Sequence, residues 1–206
     1  MLKPFAGSIV PVATVAVLGV LVSSTRTVEA QDSTKSPSPW EIRVTGGSFV
    51  PTGEQRNVLK EGKVKAIQIS RVLNPSLAVT GSFGWARSQD LVSVDNPKLD
   101  VFTSDLGIEL RPNTWFAGRA VNFDAFVGFG GGMRSYNYRK LDIGATHNLA
   151  AYSAVGGEVG IGRLGVRLEV RDYVAGFKPM AGVGDSHARN DVVITAAVRI
   201  NRTSSR

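Results

Sequence analysis

From Trp40 to Asn201 apolar and polar residues alternate along the chain. A period of two sends successive side chains to opposite faces of an extended strand, and no stretch carries a helical stripe instead. Eight strands are predicted: Trp40–Val50, Lys63–Leu73, Leu77–Ala86, Leu99–Arg111, Val121–Met133, Asn148–Ile161, a seventh around Val166–Val174, and Val192–Asn201. The seventh, "VRLEVRDYV", is the clearest, with Val166, Leu168 and Val170 against Arg167, Glu169 and Arg171. Lys65 and Arg71 fall on the apolar side of the second, which predicts a bulge or a position near a polar interface.

The predicted connections alternate in length. Short ones follow the second, fourth and sixth strands, around Asn74-Pro75-Ser76, Pro112-Asn113 and Gly162-Arg163. Long ones, Pro51–Gly62, Arg87–Lys98, Arg134–His147 and Ala175–Asp191, follow the other four. This is the pattern of an antiparallel up-and-down meander with short turns at one end and long loops at the other.

Such a barrel can be apolar inside, as lipocalin-like ligand binders are, or apolar outside, as membrane barrels are. The polar face decides between them. It reads Ala78, Thr80, Ser82, Gly84, Ala86 on the third strand and Ala150, Tyr152, Ala154, Gly156, Glu158, Gly160 on the sixth. A water-facing sheet would be rich in Lys and Glu, whereas small residues with a few charges suit a lumen filled by side chains. The other face carries branched aliphatics, with Trp40, Trp85 and Phe129 expected near strand ends as an aromatic girdle. The 23 glycines fit the close backbone approaches of a small closed barrel. The expected fold is therefore all-β, an eight-stranded antiparallel up-and-down transmembrane β-barrel, with a soluble periplasmic ligand binder as the inverted alternative.

The N-terminus adds an export signal. Lys3 precedes the apolar run Ile9–Val22, and Val28-Glu29-Ala30 places small residues where a signal peptidase cleaves. The run is too short for a spanning helix and contains Pro11. The expected organisation is a signal peptide over 1–30, a flexible leader over 31–39, the barrel over 40–201 and a polar tail over 202–206. With no cysteine, disulfides and thiol chemistry are excluded. The formal charge of +7 fits the phosphates of outer-membrane lipids and lipopolysaccharide, and nucleic acid is not an expected partner for an exported chain.

Strand count, loop alternation, the exported N-terminus and the phrase "GRLGVRLEVRDYV" together resemble small outer-membrane β-barrels of the OmpA-like and OmpW-like superfamily. The resemblance implies outer-membrane residence as a monomer, insertion by the barrel-assembly machinery, extracellular long loops and periplasmic termini. It also implies a last strand ending on an aromatic residue, where this chain has "RTSSR" over 202–206.

Candidate chemistry is sparse. The two histidines, His147 and His187, fall in predicted loops without a carboxylate cluster, so no metal site is expected. Lipid-modifying barrel enzymes align a serine, a histidine and a carboxylate. His147 has no serine two residues on, and Ser186-His187 lies in a glycine-containing loop, so no enzyme is expected. Gly128–Gly132 and Gly156–Gly160 lack the following helix that a phosphate-cradling loop requires, and no cofactor is expected. Arg134–Arg139, "RSYNYR", reads as an exposed loop, and Asp191 as one of the loop acids.

The candidate constellation is the inward-facing charge set: Glu41, Arg43, Asp105, Glu109, Asp124, Glu158, Arg167, Glu169, Arg171 and Arg199. Its members would fill the lumen as pairs or gate it. Neighbouring strands suggest Arg199 and Glu158 as the partners of the seventh strand. The expected function is a structural barrel serving envelope integrity or surface interaction, with a small passive channel for ions or hydrophobic solutes as the alternative.

Overall fold

The computed structural model describes residues 40–112, 116–117, 121–142, 144–161, 164–177 and 187–200; for Phe116, Ala117, His187, Arg199 and Ile200 it describes the backbone alone. Nine strands result: β1 (Trp40–Pro51), β2 (Gly62–Asn74), β3 (Leu77–Gln89), β4 (Lys98–Leu110), β5 (Phe116–Ala117), β6 (Val121–Tyr138), β7 (Thr146–Ile161), β8 (Leu164–Phe177) and β9 (His187–Ile200). All but β5 are long, and each of these eight pairs antiparallel with its neighbours in the chain, β4 passing over β5 to pair with β6. β1 and β9 pair and close the ring.

The closure is staggered. Following paired residues from Glu41 through Ser70, Thr80, Gly107, Gly130, Tyr152, Tyr173 and Asp191 returns to β1 at Pro51, ten residues on. A shear of ten across eight strands tilts them by about 40° from the axis and leaves an interior that side chains can fill.

Alternation sorts the faces as the sequence implies. Outward residues remain open: Ile42 is 66% exposed, Val44 71%, Leu106 64%, Leu149 86% and Leu168 60%. Together with their neighbours they form a continuous apolar belt around the barrel, far beyond what a water-soluble surface tolerates. Toward the end that carries the long loops, the outward positions turn polar at Lys65, Arg87, Asp100, Ser135 and His147. Arg71 stands near the opposite rim with its guanidinium 5.7 Å from the centre of the Trp40 ring. The β2–β3 register shifts between Val72 and Asn74, and Asn74 Oδ1 accepts a bond from Ser76 N at 2.9 Å in the turn that follows.

Several boundaries differ from expectation. β6 runs on to Tyr138, β7 begins at Thr146 and β9 at His187, so Arg134–Tyr138, His147, His187 and Asp191 are strand residues and not loop residues. Above the lipid belt outward residues are polar too, and the alternation that marks a strand fades there. The connection after β4 is no short turn but contains β5, whose Phe116 pairs with Phe123 at the foot of β6. Phe129 lies in mid-strand on β6 and not at a girdle. Asn113, Gly162, Arg163 and the segments 1–39 and 201–206 lie outside the described residues.

The first long loop folds back over the lumen. A 3-10 turn at Gly53–Asn57 turns Gln55 inward, and Val58 and Leu59 follow it into a buried cluster with Phe49, Leu99, Val101, Tyr136, Tyr138 and Phe177. Backbone bonds fasten this cap to the next loop, Leu91 N to Val58 O at 2.8 Å and Lys60 N to Gln89 O at 3.0 Å. Asp90 anchors the junction. Its carboxylate accepts from Val92 N, Ser93 N, Ser93 Oγ and the Tyr138 hydroxyl, at 2.9, 3.1, 2.7 and 2.7 Å.

Candidate functional site

Below the cap, the inward charges form one connected ladder. Arg43 bonds Glu41, and Arg111 reaches the same carboxylate at 2.7 Å and Glu109 at 2.7 Å. Arg167 takes the other side of Glu109 at 2.6 Å and also meets Glu169 at 2.8 Å. Arg171 bonds Glu169 and lies 3.4 Å from Asp105. Cation and anion alternate through Arg43, Glu41, Arg111, Glu109, Arg167, Glu169, Arg171 and Asp105, and the formal charges cancel. Such pairing is what lets guanidiniums and carboxylates persist away from water.

Neutral polar groups take up further donors and lone pairs. Arg43 Nη1 donates to Ser70 Oγ at 3.0 Å and Arg171 Nη1 to Ser82 Oγ at 2.9 Å. The Tyr173 hydroxyl donates to Asp105 at 2.6 Å. Rings flank the cations: Arg167 lies 3.4 Å from the centre of Phe126, and Arg171 4.6 Å from that of Tyr152. Tyr152 itself needs glycine opposite it. A Cβ on Gly107 would come within 2.3 Å of its hydroxyl, and one on Gly130 within 2.5 Å of its ring.

A second, separate pair closes the loop end. Arg134 and Asp191 are wholly buried and meet at 2.5 Å, with Gln55 of the cap 3.5 Å from the same carboxylate oxygen. Arg134 also lies 4.1 Å from the centre of Tyr173. Between this pair and the ladder is a cavity of about 40 Å³, lined by Val64, Ala66, Ala86, Val101 and Val193 together with Gln68 and Thr103. By volume it admits about three water molecules.

Of the expected lumen residues, Glu41, Arg43, Asp105, Glu109, Arg167, Glu169 and Arg171 belong to the ladder. Asp124 is half-buried and accepts from Asn122 at 3.2 Å. Glu158 is buried, with its Cα in register with that of Arg167. Arg199 is in register with Gly165, and its side chain lies outside the described residues. Arg167, for which Glu158 was the expected partner, bridges to Glu109 across the lumen and to Glu169 two residues along its own strand. Arg111, Arg134, Tyr173 and Asp191 join the interior and were not among the expected set. Arg111 shares the parity of Glu109, and that signal was available.

On the outer surface, Ser135 and His147 are register partners, with Oγ 2.7 Å from Nδ1. The serine that sequence spacing did not supply is on the adjacent strand. Among the described residues no carboxylate bonds the other ring nitrogen.

No protein-family model matches the chain, and no curated protein sequence does at a significant level. Solved structures do resemble it in fold. Neisserial surface protein A (NspA) superposes with a TM-score of 0.57 at 8% identity, over 82% of this chain and all of that one. Ail, the attachment invasion locus protein of Yersinia pestis, gives 0.38 at 13% identity over 77% of this chain and 97% of its own. The outer-membrane enzyme PagL gives 0.38 at 12% identity over 76% and 98%. With its apolar belt outside and its charges inside, the chain has the closed eight-stranded fold of small outer-membrane β-barrel proteins.

Proposed function

We propose that this protein is a non-conducting outer-membrane barrel with a structural and surface-interaction role, its long loops outside the cell and both termini in the periplasm. The barrel-assembly machinery would insert it, and outer-membrane lipids would surround it as a monomer. One observation carries the closed-lumen part of this reading: the ladder crosses the lumen with each of its own charges compensated, so these side chains fill the lumen as pairs and do not line it as a ring of one sign. The folded first loop and the Arg134–Asp191 pair add a second closure above it. On this reading the Ser135–His147 pair is a cross-strand hydrogen bond on the polar rim, and no catalysis is assigned to it.

Planar-bilayer recording tests the proposal. The refolded protein is expected to give no stepwise conductance over a physiological voltage range. Regular single-channel steps from the wild-type chain would replace this reading with that of a passive channel.

A further inference from the structure

The rim at the loop end is not uniform. On one arc, formed by the ends of β2, β3 and β4 and the start of the loop after β6, a groove of about 350 Å³ is lined by Lys60, Glu61, Arg87, Ser88, Gln89, Lys98 and Arg139. Lys60, Arg87 and Lys98 are exposed and make no ion pair among the described residues. Arg139 is tied to Asp100 at 2.5 and 2.8 Å, and Asp100 also accepts from Trp85 Nε1 at 3.0 Å. The four cations Lys60, Arg87, Lys98 and Arg139 therefore outnumber the two carboxylates beside them, Glu61 and Asp100, the latter also in register with Arg87. Lys63 and Lys65 extend the positive field down the outer face of β2, Lys65 in register with Trp85. On the opposite arc the outward rim positions of β7, β8 and β9 are His147, Gly176, Ala188 and Asn190, without a Lys or Arg.

Directly below the basic groove the belt turns aromatic. Trp85 and Phe102 are register partners, and Phe83 stacks on Phe102 with centroids 6.3 Å apart. Arg87 lies 4.5 Å from the centre of the Trp85 ring, which fixes the lower edge of the groove against the aromatic patch. Cations at the rim thus stand directly above an aromatic patch, the order of groups found at a membrane–water interface.

We propose that this arc binds a phosphorylated, multiply acylated lipid of the surrounding leaflet. Its phosphate would sit among Lys60, Arg87, Lys98 and Arg139, with its chains along Phe83, Trp85 and Phe102. The site rests on the membrane reading above. A lipid is favoured over a solution phosphate because the cations alone would serve the latter, whereas the aromatic patch immediately beneath them serves a ligand with an apolar body. Arg139, held by Asp100, supplies an ordered donor, and the free lysines supply charge.

The test uses the full chain folded in neutral detergent, with binding read by native mass spectrometry. The probes are diphosphoryl lipid A and the same lipid with its phosphates removed. Lys60→Gln/Arg87→Gln/Lys98→Gln is expected to weaken diphosphoryl lipid A binding by about two orders of magnitude, since each surface cation contributes about a factor of five. Arg71→Gln, near the opposite rim, is expected to bind as wild type does. The dephosphorylated lipid should bind the wild type as weakly as the phosphorylated one binds the triple variant. Equal binding by wild type and triple variant, or by the two lipids, would overturn the site. Full displacement of the lipid by inorganic phosphate would show that the groove takes a solution anion, and would overturn the lipid assignment. Heat-dependent gel mobility of each variant reports the barrel separately, so its loss in the wild type would count against the membrane reading, not against the groove alone.

Discussion

Arg167 and Glu109 stand 58 residues apart in sequence and meet across the lumen, Nη2 to Oε2 at 2.6 Å. They belong to β8 and β4, which are not neighbours in the sheet; β6 and β7 separate them along the barrel wall. A small lumen lets long side chains reach across it, and this contact ties opposite walls together.

Cutting the tie should be costly. Glu109→Ala leaves both Arg111 and Arg167 without a carboxylate they share, at roughly 3–5 kcal/mol. Glu109→Gln, which keeps acceptor geometry but not charge, should cost less. Urea unfolding from lipid vesicles ranks the two, and equal midpoints for Glu109→Ala and wild type would remove the ladder from the stability account.

Glycine opposite Tyr152 is a packing requirement. Gly130→Ala brings a methyl group against both the Tyr152 ring and the Leu106 carbonyl oxygen, each 2.5 Å from the new carbon. Because one obstacle is backbone, the strand itself must shift, and destabilisation of about 1–3 kcal/mol is expected. Gly46→Ala, where a Cβ meets nothing within 4 Å, is the control and should unfold with the wild type.

Face assignment was legible in the sequence because parity is a local property. Of the inward residues that alternation gives, Arg43, Asp105, Glu109, Glu158, Arg167, Glu169 and Arg171 are buried. Their partners were not legible, because pairing depends on the shear and on side-chain reach. Arg167 passes Glu158, its register partner, to meet Glu109. Arg134 and Asp191 were missed for a different reason. They lie above the belt, where outward residues such as Asn137 and Asn190 are polar and the two faces no longer differ in composition. The Ser135–His147 pair needed the β6–β7 register, since the two residues are 12 apart in sequence.

The cap should respond to acid. Burial pushes the Asp90 carboxyl upward, but bonds from Tyr138, Ser93 and the backbone N–H groups of Val92 and Ser93 outweigh it and hold Asp90 below its ordinary range. A depressed folded-state pKa contributes stability that is fully present above the unfolded value and is lost as pH falls through the folded one. Amide-exchange protection at Val92 and Ser93, corrected for intrinsic rate, should therefore stay constant from neutral pH down to about 4 and fall only below that. Asp90→Asn should lower protection at neutral pH as well. Protection that declines already between pH 7 and 5 would point to a different group.

Orientation can be read with single cysteines, since the chain has none of its own. Asn137→Cys, exposed at the loop end, should react with an impermeant maleimide on intact cells. Pro75→Cys, exposed in the β2–β3 turn, should react only after lysis. The opposite pattern would invert the proposed topology.

The central claim is that the apolar face meets lipid and the charged face fills the lumen, and two adjacent residues test it. Leu168 is 60% exposed on the outer face of β8, while Glu169 is 5% exposed and holds Arg167 and Arg171. Urea unfolding from vesicles should show Glu169→Ala destabilised by roughly 3–5 kcal/mol. Leu168→Ala should lose less, because lipid fills the space, and Leu168→Lys should lose roughly 2–4 kcal/mol if that position is near the bilayer midplane. An inverted, water-soluble barrel requires the reverse order, with Glu169→Ala nearly silent and Leu168→Ala opening a core cavity at roughly 2–5 kcal/mol. That reversed order would contradict the account.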